Sequence, residues 1–381
     1  MAQRLRTDWI LFSTIVAMVC FGLVMVYSAS SVMAEVKMNV SNIHFLVRQL
    51  GWAVASFFLL MYFKRIDYRL LRSPAWAFSP LGIVLILQVA VIFADPKTHR
   101  WFRIPSVGSL QPSEFAKPAL ILFLAYFVCL RQRAINERHT LLCAALALAV
   151  VGITVGVGDL GTAVVLIVPA AVVFYVAGLQ RRFVLAAVCA GLLFCGVFVV
   201  SKPYRVARIV SYVDPDYHML NSIDPHGYVR GYISQSVTTR DAGYQVRQSK
   251  IAVGSGGALG VGLMHGRQKI LYLPEAHTDF IYAVVGEELG LFGCSAVLAG
   301  FMIILWRGFG IYWTAPDDFG RYLALGVTSS IVVQGLINIS VVLGMGPTKG
   351  IPLPMISSGG SSLLSTLICL GMLLSVSGRA E

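Results

Sequence analysis

An aspartate at the edge of an apolar run is the most informative chemical group in this sequence. Asp279 ends the stretch Leu-Pro-Glu-Ala-His-Thr-Asp that begins at Leu273, and a long apolar segment follows it. A carboxylate at a membrane boundary is costly and is usually kept for a function. It could cap the following helix by accepting hydrogen bonds from free N–H groups, or it could act as an acid or base. The residues alone leave both interpretations open.

A second polar stretch, at residues 99–117, contains three cations that are suited to an anionic ligand. Arg100 and Arg103 lie in one short segment, and Lys117 follows shortly after Glu114. Arginine and lysine side chains together are typical of a site for a phosphate or pyrophosphate head group. Cations near a membrane surface also extend towards water without binding any ligand, and this alternative stays open.

Further polar positions lie in tight or irregular connections. Residues 158–161 form a tight connection, and such a connection needs glycines. It does not need Asp159, which could pair with one of the cations. Lys349 lies in an apolar, proline-rich stretch. We predict that this stretch folds back into the protein, because irregular backbone is tolerated at membrane depth only where it is buried or lines a cavity. Ser361 and Ser362 open the next helix, whose free N–H groups suit an anion or a hydroxyl, although close helix packing explains such small residues equally well.

The composition identifies a membrane protein. Of 381 residues, 57% are hydrophobic and 13% are charged, whereas soluble domains carry about 25% charged residues. The formal net charge is +12, but the basic residues fall in short clusters between apolar runs, which argues against a nucleic-acid-binding surface. Glycine-rich residues 254–262 resemble a nucleotide loop only in composition, because no strand–helix–strand pattern surrounds them. They could supply a hinge or backbone amides near the site.

Ten segments are apolar and long enough to cross a membrane, which takes about 20 residues. We therefore predict an all-α membrane protein with ten transmembrane helices, and residues 1–381 form one membrane domain. The predicted spans are residues 9–29, 44–63, 74–94, 115–130, 140–157, 161–178, 183–201, 279–306, 321–343 and 358–376.

The basic clusters predict the orientation of the chain. Arg4 and Arg6 precede the first span, and basic residues recur in alternate connections. Such connections stay in the cytoplasm, so both termini are expected there. The long loop at residues 202–277, between helices 7 and 8, is then extracytoplasmic, and Asp279 faces the same side. No ATP or nucleotide sugar is available there, so a substrate must carry its own leaving group. Within this loop, residues 204–250 show no pattern that can be assigned.

Five sequence motifs occur in order along nearly the whole chain. They are Gly-Leu-Val-Met-Val-Tyr-Ser-Ala-Ser at residues 22–30, Gln-Pro-Ser-Glu at 111–114 with Lys117, Asp-Leu-Gly-Thr at 159–162, and residues 272–290 and 352–362. Together these motifs resemble the SEDS family of shape, elongation, division and sporulation proteins. The Tyr-Ser-Ala-Ser and Leu-Pro-Glu-Ala-His-Thr-Asp stretches are more similar to the FtsW division branch than to the RodA elongation branch. The sequence departs from the family pattern at Gly158, Met355 and Ser358.

The resemblance implies a peptidoglycan glycosyltransferase that polymerises lipid II, a disaccharide-peptide on undecaprenyl pyrophosphate. It would act on the outer face of the cytoplasmic (inner) membrane during cell division. Asp279 is implied as the catalytic residue, and it would take the proton of the attacking sugar hydroxyl as a general base. A single strong carboxylate candidate favours direct displacement with inversion. The expected substrate-binding residues are Arg103, Glu114, Lys117, Asp159, Lys349, Ser361 and Ser362.

The resemblance also implies partners. These are a class B penicillin-binding protein, which cross-links the glycan, and other membrane proteins of the division machinery, whereas no nucleic acid is expected. No sequence feature requires a cofactor and no metal ligands are predicted, although Mg²⁺ or Mn²⁺ could assist the reaction. Three alternatives stay open: a RodA-type elongation polymerase, a lipid II flippase and a non-enzymatic scaffold. The flippase is disfavoured because no inverted repeat is visible.

Overall fold

The protein is described by a computed structural model that covers residues 7–36, 38–95, 98–104, 108–214, 218–224, 227–234, 239–270 and 272–379. Arg4 and Arg6, on which the predicted orientation partly rests, lie outside the described residues. The described secondary structure consists of fourteen α-helices, two short 3₁₀ helices and one small β-hairpin. The predicted all-α membrane class is therefore confirmed.

The helices and strands are α1 (Trp9–Val36), α2 (His44–Arg65), α3 (Pro74–Ala94), β1 (Phe102–Ile104), β2 (Gly108–Leu110), α4 (Pro112–Arg131), α5 (Arg138–Gly158), α6 (Leu160–Val176), α7 (Arg181–Val200), α8 (Pro203–Val213), α9 (His218–Ile223), α10 (Tyr228–Ser234), α11 (Thr239–Gly256), α12 (Ile281–Thr314), α13 (Asp318–Val342) and α14 (Gly360–Ser377). The 3₁₀ helices are Tyr68–Leu71 and Gln132–Ala134. The strands pair antiparallel, with Arg103 opposite Ser109.

Nine of the described helices are long and apolar enough to cross a membrane, namely α1 to α5, α7 and α12 to α14. The sixth predicted span corresponds to α6, which is apolar but shorter, with 17 residues. The count of ten spans therefore stays a prediction. The loop predicted at residues 202–277 contains the four helices α8 to α11, although its sequence showed no assignable pattern.

The centre of the bundle is formed by α4, α13 and α14, which are mostly buried, whereas no residue of α7 is buried. Helices in lipid approach closely where small residues face a neighbouring backbone. A methyl group added at Gly371 of α14 would lie 2.7 Å from the backbone oxygen of Leu60 in α2. The same addition at Gly22 of α1 would lie 2.6 Å from the backbone oxygen of Met355. These contacts hold α1 and α2 against α14 and the segment before it.

That segment, residues 344–359, has no regular helix or strand and runs through the interior between α13 and α14. The predicted fold-back is confirmed by four buried apolar side chains, those of Ile351, Leu353, Met355 and Ile356. Side chains satisfy part of its polar backbone, as buried irregular structure requires. The Gln334 amide donates to the carbonyl oxygen of Pro352 at 2.9 Å, and the Ser357 hydroxyl accepts from Leu353 N–H at 2.8 Å.

The helix that follows Asp279 differs from the prediction in two ways. It begins at Ile281 and not at Asp279, and it is broken at Gly290, where φ is +63° and ψ is −156°. The glycine-rich segment at residues 256–262 lies in the break and pairs with the backbone groups that the break leaves free. The four hydrogen bonds run from Val261 N to Glu287 O (3.0 Å), Gly262 N to Glu288 O (3.0 Å), Leu291 N to Gly257 O (2.9 Å) and Phe292 N to Ala258 O (3.2 Å).

The small residues Gly286 and Gly290 thus have different structural roles. Gly286 permits close helix packing, because an added methyl group there would lie 3.0 Å from the Val253 side chain of α11. Gly290, in contrast, lies at the break and is not part of a continuous helix face. Its backbone conformation is one that only glycine adopts readily.

Candidate active site

Asp279 lies two residues before the first turn of α12, and its carboxylate is half-buried. Phe280 occupies the cap position, and no side chain caps the helix. The capping interpretation of Asp279 is therefore wrong. The carboxylate lies against Gly350, where an added methyl group would be 2.7 Å from Oδ2. A glycine at position 350 is what leaves room for this carboxylate.

The backbone around Asp279 is held by polar side chains of the bundle. The Asn338 amide of α13 donates to the Asp279 carbonyl oxygen at 2.8 Å and to the Ile351 carbonyl oxygen at 2.7 Å. The Ser357 hydroxyl donates to the Thr278 carbonyl oxygen at 2.5 Å. The backbone at Asp279 is thus held by α13 and by the buried segment at residues 344–359, whereas the Asp279 side chain takes no part in these hydrogen bonds.

Asp159 lies between α5 and α6 and pairs with a cation, as predicted. Arg100 Nη2 lies 2.6 Å from Asp159 Oδ2, and the Gln111 amide donates to the same oxygen at 2.8 Å. Thr162 completes the set with its hydroxyl at 2.8 Å. Burial opposes ionisation of Asp159, but the Arg100 charge and the Thr162 hydrogen bonds outweigh it and hold the pKa below its usual range.

Two arginines that the prediction missed lie on α8. The Arg205 guanidinium donates to the carbonyl oxygens of Gly156 and Val157 at the end of α5, at 3.3 and 3.2 Å. Arg208 lies one turn further along α8 and is half-buried. The arginine spacing of three residues in an amphipathic segment was the available signal. Arg208 lies close enough to Asp279 and Asp159 for both charges to act on it.

Lys349 is half-buried beside Gly350 and is also close to this cluster, because the charges of Asp159, Arg205 and Arg208 all act on it. Burial lowers the pKa of Lys349. Within the described residues, neither Arg208 nor Lys349 forms an ion pair. The described surroundings of Asp279 therefore contain cationic charge that is not neutralised by a direct partner.

Glu114 and Lys117 are placed deeper than the prediction assumed. Lys117 Nζ lies 2.6 Å from Glu114 Oε2, and both side chains are buried. Lys117 also donates at 2.7 Å to the Gln334 side chain, which in turn holds Pro352. These two predicted substrate-binding residues are thus joined to the segment beside Asp279, but each already has a charged partner.

The remaining predicted site residues fall into two groups. Arg103 is exposed on β1, and the neighbouring Arg100 is the cation that reaches Asp159. Ser361 and Ser362 are buried in the first turn of α14, where the Ser361 hydroxyl accepts from the Gln111 N–H at 3.4 Å. Ser361 therefore connects α14 to the Asp159 cluster through Gln111.

Four buried polar atoms in the segments around Asp279 have no hydrogen-bond partner in the described structure. They are Arg100 Nε, His277 Nδ1, Asn338 Oδ1 and Thr348 Oγ1. His277 lies two residues before Asp279, and Asn338 donates to the Asp279 carbonyl oxygen. Thr348 lies two residues before Gly350, and Arg100 pairs with Asp159. Nearly all buried polar groups in proteins are paired, so these atoms mark a place where a ligand could bind.

Burial, and after it the charge of Glu275, raises the pKa of Asp279 to about 7, although the charges of Arg100 and Arg208 partly oppose this shift. The carboxyl group therefore loses its proton near neutral pH. If Asp279 is the general base predicted above, it has to be ionised to act, so activity should rise as pH increases through about 7. A plot of log kcat/KM against pH should show this ascending limb. Glu275→Gln should move the limb to lower pH, and a limb near pH 4 would contradict the assignment.

Comparisons with known proteins identify the family of this chain. A profile of the family FtsW/RodA/SpoVE, described as cell cycle proteins, matches residues 8–381. A probable peptidoglycan glycosyltransferase FtsW of Geobacter metallireducens is 39% identical, over 99% of this chain and 96% of that protein. Stage V sporulation protein E of Bacillus subtilis is 37% identical, over 98% of each chain.

Solved structures show the same fold. A chain from a peptidoglycan synthase complex, studied for the coordination of polymerization and crosslinking, is 27% identical with a TM-score of 0.75 over 98% of both chains. The rod shape determining protein RodA of Thermus thermophilus is 25% identical, with a TM-score of 0.68 over 98% of this chain and 97% of that one. The profile match over nearly the full length shows that this chain belongs to the FtsW/RodA/SpoVE family of cell cycle proteins.

Proposed function

We propose that this protein is a peptidoglycan glycosyltransferase that polymerises lipid II during cell division. The observation that carries the proposal is the half-buried Asp279 carboxyl, with a pKa of about 7, beside cations that lack an ion-pair partner in the described structure. The relatives named as glycosyltransferases support the chemistry, and those named FtsW support the division role.

In the proposed reaction, a sugar hydroxyl of one substrate attacks the anomeric carbon of another. As the new carbon–oxygen bond forms, the hydroxyl proton passes to Asp279, and the bond from the anomeric carbon to the pyrophosphate breaks with inversion. The electron pair of that bond leaves with undecaprenyl pyrophosphate. Asp279 is suited to this step because a base with a pKa near the working pH is the most effective.

The leaving pyrophosphate develops negative charge, which preorganised cations stabilise. Arg208 and Lys349 are the proposed binding groups, and Arg100 Nε is a further unpaired donor. Lys349 also stands at the edge of an open apolar groove between α6 and α13, lined by Val164, Val333 and Leu336. This groove is suited to a polyprenyl chain whose pyrophosphate lies at Lys349. Asp159, Glu114, Lys117, Ser361 and Ser362 are proposed to support this site from the protein side.

Arg208→Ala should raise the KM for lipid II by about tenfold to a hundredfold, which corresponds to the loss of one or two charge-assisted hydrogen bonds. Arg103→Ala is the matched comparison, because Arg103 is a nearby but exposed arginine. Its effect should be smaller, since exposed charges are screened by water. Initial rates of polymerisation against lipid II concentration measure both. Equal effects of the two variants would contradict the assignment of Arg208.

We further propose that the Asp279 end of the bundle faces outward from the cytoplasmic membrane and that a class B penicillin-binding protein is the partner. The orientation follows the basic clusters of the sequence, and the likeness to a chain of a peptidoglycan synthase complex supports the partner. No cofactor is proposed. If Mg²⁺ or Mn²⁺ assists, substrate phosphates would supply several of its oxygen ligands, as is usual for Mg²⁺.

The test is polymerisation of purified lipid II by the full-length protein with its class B penicillin-binding protein. The transpeptidase of the partner is blocked, so that only glycan chains are detected. Polymer that depends on this protein is the expected result. Absence of polymer from a folded complex, together with movement of lipid II across vesicle membranes, would favour a flippase and overturn the proposal.

A further inference from the structure

A second buried charge cluster lies outside the Asp279 site. Lys269 Nζ is 2.5 Å from Glu288 Oε1, and the two side chains are only 1% and 0% exposed. The Ser28 hydroxyl of α1 lies 2.7 and 2.6 Å from the two Glu288 carboxylate oxygens. Lys269 also donates to Ser28 at 2.9 Å. The cluster therefore joins α1, the segment before Asp279 and α12.

Such a cluster is not needed for stability alone. Removing two charges from water is costly, and apolar side chains of similar volume often stabilise a protein as well as a buried ion pair does. What an ion pair adds is a single defined arrangement of the groups that it joins. The question is then which arrangement this pair defines.

The break in α12 answers this question. Glu288 lies two residues before Gly290, so it belongs to the short first part of α12, residues 281–289, which the break separates from the rest of the helix. The direction of this short part is not set by the long part, and contacts from elsewhere must hold it. Asp279 lies two residues before this short part, so the direction of the short part affects the position of Asp279.

Those contacts come from the segment at residues 256–269. Its backbone pairs with the carbonyl groups at the break, as described above, and its N–H groups hold the neighbouring Glu287. Arg267 N and Gln268 N donate to Glu287 Oε1 at 2.7 and 3.1 Å. Lys269 is the next residue, and through Glu288 and Ser28 it ties this assembly to α1. The ion pair is thus a buried polar connection between the short helix and α1.

We propose that Lys269, Glu288 and Ser28 are positioning residues that hold the short first part of α12, and with it Asp279, in the geometry required for glycosyl transfer. They do not touch the reacting atoms. This inference rests on the proposed function. Small displacements of a reacting group can lower a rate about a hundredfold, so the cluster should affect kcat more than substrate binding.

The decisive variant is the double substitution Lys269→Met/Glu288→Leu in the full-length protein with its partner. It removes both charges and keeps similar volumes, so folding should be preserved. We expect a thermal unfolding midpoint near or above that of the parent, kcat lowered about tenfold or more, and KM changed less than about threefold. The ascending limb of the pH profile should also shift, because the surroundings of Asp279 change.

Arg307→Gln is the matched control. Arg307 pairs with Asp8 at 2.8 Å and so also joins α12 to the start of α1, but beyond the break. It should leave kcat and the pH profile unchanged. A folded double variant with the kcat and pH profile of the parent would overturn the inference, as would a raised KM with unchanged kcat.

Two further outcomes are distinguishable. If the parent makes no polymer, the result contradicts the proposed function and does not concern the positioning of Asp279. If the double variant does not fold, Ser28→Ala decides, because it removes two hydrogen bonds and no charge. We expect kcat to fall about threefold to tenfold at unchanged KM, and a parental kcat for this folded variant would overturn the inference.

Discussion

Asp279→Asn should lower the rate of glycan polymerisation by about 10²- to 10⁴-fold, the usual contribution of a general base. The amide is nearly the same size as the carboxyl group but cannot take up the proton. The fold should be retained, because the backbone contact of Asp279 comes from Asn338 and does not involve the carboxylate. Polymerisation of lipid II by the complex and thermal unfolding in detergent measure the two properties.

Glu275→Gln is the control for this experiment. Glu275 is exposed and lies four residues earlier, and its charge acts on Asp279. Its substitution changes a nearby carboxylate in the same way, but it should leave the rate above pH 8 near that of the parent. Equal polymer from Asp279→Asn and from the parent would mean that another group takes the proton. A scaffold or flippase would likewise tolerate Asp279→Asn.

Gly290→Leu should cause the largest loss of stability. The backbone at Gly290 has φ +63° and ψ −156°, a region that costs other residues about 1–3 kcal/mol. A Cβ atom would also overlap the backbone nitrogen of Gly260. Together these effects should lower the free energy of unfolding by about 4 kcal/mol or more. The thermal unfolding midpoint and the yield of monodisperse protein measure this loss.

Gly310→Leu is the matched control, because Gly310 lies in the same helix and an added Cβ would meet no atom within 4 Å. This variant should unfold near the parental temperature. Gly290→Ala separates the two causes: it adds only the Cβ atom and should still be clearly destabilised. A parental midpoint for Gly290→Ala would show that the helix is not broken at this residue.

Much of the fold could be predicted because a membrane imposes simple rules on a sequence. A helix that crosses lipid needs a long apolar run, and nine of the predicted spans correspond to helices that satisfy this rule. Asp279 could be singled out for the same reason, since a carboxylate beside such a run is rare. The predicted pairing of Asp159 with a cation is confirmed, although periodicity could not say which cation.

The rest of the site required tertiary structure, because it depends on which segments meet. Arg208 and Asp279 are far apart in the sequence but close in the structure. Arg100 and Arg103 are only three positions apart, yet Arg100 alone of the two contacts Asp159. The break at Gly290 could not be predicted from the sequence either. A glycine within an apolar helix is usually a packing residue, and only the insertion of residues 256–262 makes the break stable.

The sequence by itself determined the membrane class, most helix positions and the aspartate at the edge of an apolar run, because each depends on residues near one another in the chain. The tertiary structure alone decided which distant charges are paired inside the protein, as in Asp159 with Arg100 and Glu288 with Lys269, and which cations near Asp279 have no ion-pair partner among the described residues. Pairing depends on distance in space, and burial makes each such pairing energetically decisive.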